Sequence, residues 1–159
     1  MKITEKITIA RLPMMVLFTG LILISLSALS FAAIPKIGES YGGGIVFYVD
    51  ATGQHGLIAA KADMTGHSDG KREGELNWYD AKTVVNSFVE GYSDWFLPNK
   101  EQLNQLYLQR GVVDGMMETY YWSSSESDVN NAWVQDFTSG KQLAGSKANG
   151  SCVRAVRFF

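Results

Sequence analysis

Apolar positions along the chain fall into short blocks, separated by polar stretches rich in glycine, aspartate and serine. The first block is the longest: residues 14–33 carry no charge, follow Lys2, Lys6 and Arg11, and pass through Ser30-Phe31-Ala32, a small-x-small pattern. A basic start, an apolar middle and a small-residue end predict an export leader, residues 1–32, cut after Ala32. An uncleaved N-terminal anchor is the alternative, because the apolar stretch approaches membrane-anchor length, although no charged stop-transfer cluster follows it. No cysteine lies near the cut, which excludes lipoprotein processing. Residues 33–40 then read as a short polar lead-in to a domain over residues 41–159.

Within that domain, Gly42-Gly43-Gly44 opens the near-continuous apolar run Ile45-Val46-Phe47-Tyr48-Val49, which predicts a buried strand. A phosphate-binding loop would need a helix after the glycines, so a tight turn or bulge is the better reading of the triplet. Residues 50–56 have turn chemistry, and Leu57-Ile58-Ala59-Ala60 returns as the second arm of a hairpin. Residues 61–77 form a long polar connection, a feature that is either mobile or functional. Trp78, Ala81, Val84, Val85 and Phe88 recur at helical spacing and predict a helix ending at Gly91, with Trp78 in the core.

Pro98 disfavours helix at Leu97, so Asp94-Trp95-Phe96-Leu97 is expected to enter as an extended segment. Asn99 with Gln102 three residues on has the form of a capping box; Leu103, Leu106 and Tyr107 would be the buried face of a second helix closed by Gly111. Strands are predicted over 120–126 and 132–137, joined by the polar loop 127–131, with a hairpin turn at 138–141 and a terminal strand over 152–159. Period-two geometry puts Trp133, Gln135 and Phe137 on one face of their strand. Arg154 and Arg157, three apart, fall on opposite faces and make no paired anion clamp.

Charge narrows the partners. Three of the 14 basic residues and one of the 16 acidic ones lie in the leader, leaving 11 against 15 and a net charge of −4 over residues 33–159. A mildly acidic domain is a poor nucleic-acid binder. A lone cysteine, Cys152, permits no intrachain disulfide; it is either buried and inert or an intermolecular link.

Taken in order, "YGGGIVFYVD", "SDWFLPNKEQLNQLY", "YYWSSSE", "AWVQDFTSG" and "VRAVRFF" resemble the Lcl C-terminal domain family, also known as DUF1566, over residues 41–159. The family is similar to the C-type-lectin-like superfamily, which includes the formylglycine-generating sulfatase activators, whose tryptophan-Leu-Pro signature the block at Asp94-Trp95-Phe96-Leu97-Pro98 resembles. The resemblance implies an α+β, C-type-lectin-like fold with two helices packed on small twisted antiparallel sheets. It also implies secretion, a periplasmic location or surface display, and the adhesin after which the family is named binds sulfated glycosaminoglycans. Two departures matter. The basic residues here are scattered among a majority of acids, and Ala155 stands where many relatives carry a cysteine partnered from the first helix.

Three function classes remain. The first is a carbohydrate-binding, adhesive module: Trp122, Ser123, Ser124, Glu126, Asn130, Asn131, Trp133 and Gln135 supply the aromatics, carboxylate, amides and hydroxyls that recognise a sugar. The alternative for Trp122 and Trp133 is that they are core aromatics on adjacent strands. The second class is a structural or assembly protein of the envelope, meeting an envelope protein or forming a homo-oligomer. The third is an enzyme of the formylglycine-generating type, which is not expected, since those relatives depend on cysteines this chain lacks. Moreover, His55 and His67 lie in loops without a metal cluster or a triad order, and Ser123-Ser124-Ser125 has no flanking glycines to make a nucleophile elbow. No cofactor is expected. Glu126, Asp128, Asn130, Asn131 and Asp136 could offer oxygens to calcium, but no Glu-Pro-Asn block or EF-hand pattern supports it. Membrane contact would come only through an uncleaved leader.

Overall fold

In a computed structural model, which describes residues 34–86 and 91–159, the triple glycine makes a tight turn. Gly42 and Gly43 adopt φ of 53° and 86°, the left-handed region open to glycine, and join β1 (Ser40–Tyr41) to β2 (Gly44–Val49). A side chain at Gly44 would place its Cβ 2.1 Å from the Ala59 carbonyl oxygen, so the third glycine is required for strand pairing. The lead-in joins this sheet through Gly38 N–H donating to Val46 O at 2.8 Å. The leader expected over residues 1–32, and Phe88 of the first predicted helix, lie outside the described residues.

β2 pairs antiparallel with β3 (Gly56–Ala60), and β3 with β7 (Val156–Phe158), giving the order β1-β2-β3-β7. The second sheet runs β4 (Tyr120–Glu126), β5 (Asn131–Asp136) and β6 (Gln142–Ser146), all antiparallel. Two helices, α1 (Trp78–Val84) and α2 (Lys100–Leu108), complete an α+β fold of helices on small antiparallel sheets. Asn77 caps α1 by accepting from the Tyr79 and Asp80 amides. Asn99 and Gln102 form the reciprocal capping box of α2. The second helix stops at Leu108 rather than running to Gly111, because Arg110 N–H turns back to Tyr107 O and Val112 N–H to Gln109 O, tightening the chain into three-residue turns.

Two hydrophobic clusters explain why the β2 run is nearly continuous. Val46 and Ile58 face a cluster with Trp78, Trp95, Trp122 and Val153. Phe47 and Leu57 face another with Leu103, Leu106, Tyr121 and Phe137. A strand buried on both sides cannot alternate apolar with polar. The terminal strand is shorter than expected: residues 152–155 are fully buried, and only Val156–Phe158 enters the sheet. Phe96 exchanges both backbone bonds with Val156, which confirms the extended entry into α2.

The polar connection 61–77 is largely exposed or half-buried but anchored to the body of the domain at Asp63 and Met64. Asp63 accepts from Arg154 Nε at 2.6 Å and from the Tyr121 hydroxyl at 2.8 Å, and Met64 N–H donates to Val153 O. Arg154, 1% exposed, spends its other nitrogens on the carbonyls of Ala60, Asp114 and Gly115, while Arg157 pairs with Asp94. The two arginines thus serve separate structural sites, as their spacing predicts.

Candidate functional site

The surface expected from residues 122–136 is largely dismantled by burial. Trp122 is 1% exposed, its indole N–H donating to Leu76 O at 2.7 Å, and Ser123 and Gln135 are both 0% exposed. Ser123 Oγ donates to Trp133 O, and Gln135 Nε2 to Asn104 Oδ1 and Gly140 O. Trp122 spends its indole N–H on Leu76, and Ser123 and Gln135 spend their polar atoms on β5, α2 and the turn at Gly140. Trp133 is half-buried, with Lys100 Nζ seated 3.1 Å from its ring centroid, so that a cation already occupies a face of the ring. The face shared by Trp133, Gln135 and Phe137 does exist, but it packs on α2 through Lys100, Asn104 and Tyr107.

Ser124 and Asn131 are half-buried, and Glu126 and Asn130 are exposed. Around them the loop 127–131 is organised by its own acids. Asp128 Oδ1 accepts from the Asn130 and Asn131 amides, and its side chain also receives Asn131 Nδ2. Glu126 takes the ammonium of Lys147 at 2.6 Å, and the same ammonium donates to the Asp128 and Val129 carbonyls. Lys147, 4% exposed, is therefore the pin of this loop and not a surface cation. The hydrogen bond from its ammonium, with its charge, holds the Glu126 carboxyl below the usual 4.5, and the hydrogen bond from the Asn131 side chain holds that of Asp128 below the usual 3.8. Of the carboxylates considered for calcium, Glu126 and Asp128 shape this loop, while Asp136 accepts from Thr138 and Ser139 in the next turn. Among the described residues, no group of three or more His, Cys, Asp or Glu is placed to hold a metal ion.

The structure assembles a different concavity, of about 350 Å³, between the first sheet and α2. Its floor is a row across three strands: Tyr48 on β2 pairs with Leu57 on β3, which pairs with Phe158 on β7. A bulge between Val46 and Tyr48 sets two residues of β2 against one of β3, so Phe47 enters the core while Tyr48 lines the groove beside Leu57. Leu57 is buried, whereas Tyr48 is 38% and Phe158 57% exposed. Phe158 is held in place from behind by stacking on Phe96 at 4.9 Å. The opposite wall is Glu101, Gln102 and Gln105 of α2, and the turn supplies Asp50 and His55. Gly56 closes the end of the floor; a Cβ there would lie 2.2 Å from Tyr48 O and 2.5 Å from the Phe159 ring. The Thr52 hydroxyl donates to Asp50 Oδ1 at 2.7 Å, fixing the carboxylate and holding its carboxyl below the usual 3.8.

An apolar floor with exposed aromatic rings, ringed by carboxylates and amides, is chemistry for holding a polar molecule with an apolar face. The sequence placed Tyr48 in a buried strand, and its reading of α2, confined to the cap and the apolar face, gave Glu101 and Gln105 no role. The one signal available was that α2 carries this polar pair four residues apart beside the aromatic-rich block.

The histidines stay separate. His55 is on the groove rim, and His67 Nδ1 lies 3.0 Å from Glu73 Oε2 in an exposed pair on the 61–77 connection, a carboxylate partner that sequence reasoning did not supply. Against known proteins, a family model described as the Lcl C-terminal domain matches residues 54–157. No curated protein matches the sequence.

Proposed function

The chain belongs to the Lcl C-terminal domain family, and we propose that it is a non-enzymatic, glycan-binding module of the cell envelope or of secreted material. The C-type-lectin-like kinship implied by the sequence blocks is part of this proposal, as is export by the basic and apolar leader. The single observation that carries it is the groove: Tyr48 and Phe158 present aromatic surface to solvent beside Asp50, Glu101 and Gln105. Sugar rings have apolar C–H faces that rest on aromatic rings, and hydroxyl edges that bond carboxylates and amides. The volume, about 350 Å³, lies at the lower end of the roughly 300–1,000 Å³ of small-molecule sites, which suits one or two residues of a longer chain. The non-enzymatic reading draws support from the separation of the two histidines and from the buried position of Ser123.

A glycan array on the purified chain tests the reading, followed by Tyr48→Ala and Phe158→Ala on any hit. Each substitution is expected to weaken binding about tenfold or more while leaving the fold intact, because both side chains are substantially exposed. Hits insensitive to both substitutions, or no hits at all, would move the function to the second reading. That reading, an assembly protein meeting an envelope partner or a second copy, is favoured by one observation. β6 lies at the end of its sheet, carries no charge and no proline, and exposes Leu143 at 43%.

A further inference from the structure

The groove's charge speaks to the kind of saccharide it takes, an inference that rests on the glycan reading above. The lining contains two carboxylates, Asp50 and Glu101, and neither lysine nor arginine. At the N-terminus of α2, an anion-attracting feature beside the groove, two of the first-turn amides are already engaged. The Lys100 amide donates to Ser125 Oγ at 3.0 Å and the Gln102 amide to Asn99 Oδ1 at 2.8 Å. A sulfate or uronate entering the groove would meet two like charges and, apart from the His55 imidazole on the rim, no cationic side chain from the lining. An ammonium would meet opposite charge on two sides and aromatic rings on the floor, the combination that stabilises organic cations. Asp50 is prepared for this role, since its Oδ1 is fixed by the backbone and hydroxyl of Thr52.

We propose that the groove selects an amino sugar with a free amine, its ring resting on Tyr48 and Phe158 and its ammonium facing Asp50 and Glu101. The partner is thus a partly deacetylated hexosamine polymer, the chemical opposite of a sulfated polyanion. Acetylating the amine removes the charge and adds bulk at the same atom, so the N-acetylated saccharide keeps the aromatic contact and loses the electrostatic one.

Calorimetric titration near neutral pH, with the purified chain, compares a glucosamine tetramer, its N-acetylated form, a heparin tetrasaccharide and a lysine-rich peptide. The glucosamine tetramer is expected to bind about tenfold or more tightly than the acetylated one. Asp50→Asn and Glu101→Gln, each with unchanged melting, are expected to reduce that preference several-fold each. Equal binding of the two tetramers, unaffected by either variant, overturns the amino-sugar inference and leaves the glycan reading standing. Tighter binding of heparin, or equal binding of the peptide, overturns it as well. Failure of every saccharide to bind overturns both readings together.

Discussion

Trp122→Ala separates the two roles open to that residue on sequence grounds, and its size follows from the structure. The indole is 1% exposed and packs in the cluster with Trp78, Trp95 and Val134; Gly145 lies against its ring, where a Cβ would sit 3.4 Å away. Truncating a buried tryptophan costs about 3–5 kcal/mol through lost transfer energy and the cavity left behind. The lost hydrogen bond adds little, because Leu76 O also accepts from Ser151 N–H at 3.0 Å and keeps one partner. A total near 4 kcal/mol is a large share of the roughly 5–15 kcal/mol that holds a domain together. With a urea dependence of about 2 kcal/mol/M, the unfolding midpoint should fall by about 2 M. Urea denaturation followed by tryptophan fluorescence and far-ultraviolet dichroism measures it. Trp122→Phe, which keeps a six-membered aromatic ring and loses the pyrrole ring with its N–H, should recover part of the loss. A midpoint moved by less than about 0.5 M, together with lost ligand binding, would refute the argument and return Trp122 to the binding surface.

Two further outcomes are expected. Arg157 donates two bonds to the Asp94 carboxylate and holds its carboxyl below the usual 3.8; a depressed folded value means that the pair's stabilisation is present above that pH and is lost as pH falls through the folded value. Asp94→Asn should therefore flatten the acid limb of stability below about pH 4, and a limb of unchanged slope would count against the pair. Burial, the nearby Asp63 charge and the more distant Glu75 push the Cys152 thiol up to about 11, so a thiol reagent at mildly alkaline pH should modify it only after unfolding. Rapid labelling of the native chain, or a disulfide-linked dimer, would show that the thiol is accessible.

Local features were readable from neighbours in the chain. The cap at Asn99, the turn at Gly42-Gly43, the extended entry before Pro98 and the separation of Arg154 from Arg157 each depend on backbone geometry over a few residues. The family was legible for a different reason: the resemblance rests on five blocks in a fixed order, and the family model, over residues 54–157, takes in the later four up to residue 157, while the first, residues 41–50, lies before it.

The candidate site was not readable, and the reason is physical. Whether Trp122 faces water depends on Leu76 and Gly145, residues 46 and 23 positions away, which no local period reports. Lys147 counts in the sequence as one more surface charge, yet the fold brings Glu126 and two carbonyls to it and buries it. The groove itself depends on one extra residue in β2. A regular strand would put Tyr48 and Phe47 on opposite faces, and the bulge sets both against Leu57, turning a tyrosine of a buried strand into part of the floor of an open site. Sequence alone determined the family, the α+β fold class, the charge and the local turns and caps, because those are properties of composition, block order and adjacent residues. Tertiary structure decided which aromatics are core and which are exposed, because burial is set by segments distant in the chain that meet only when the sheets and helices pack.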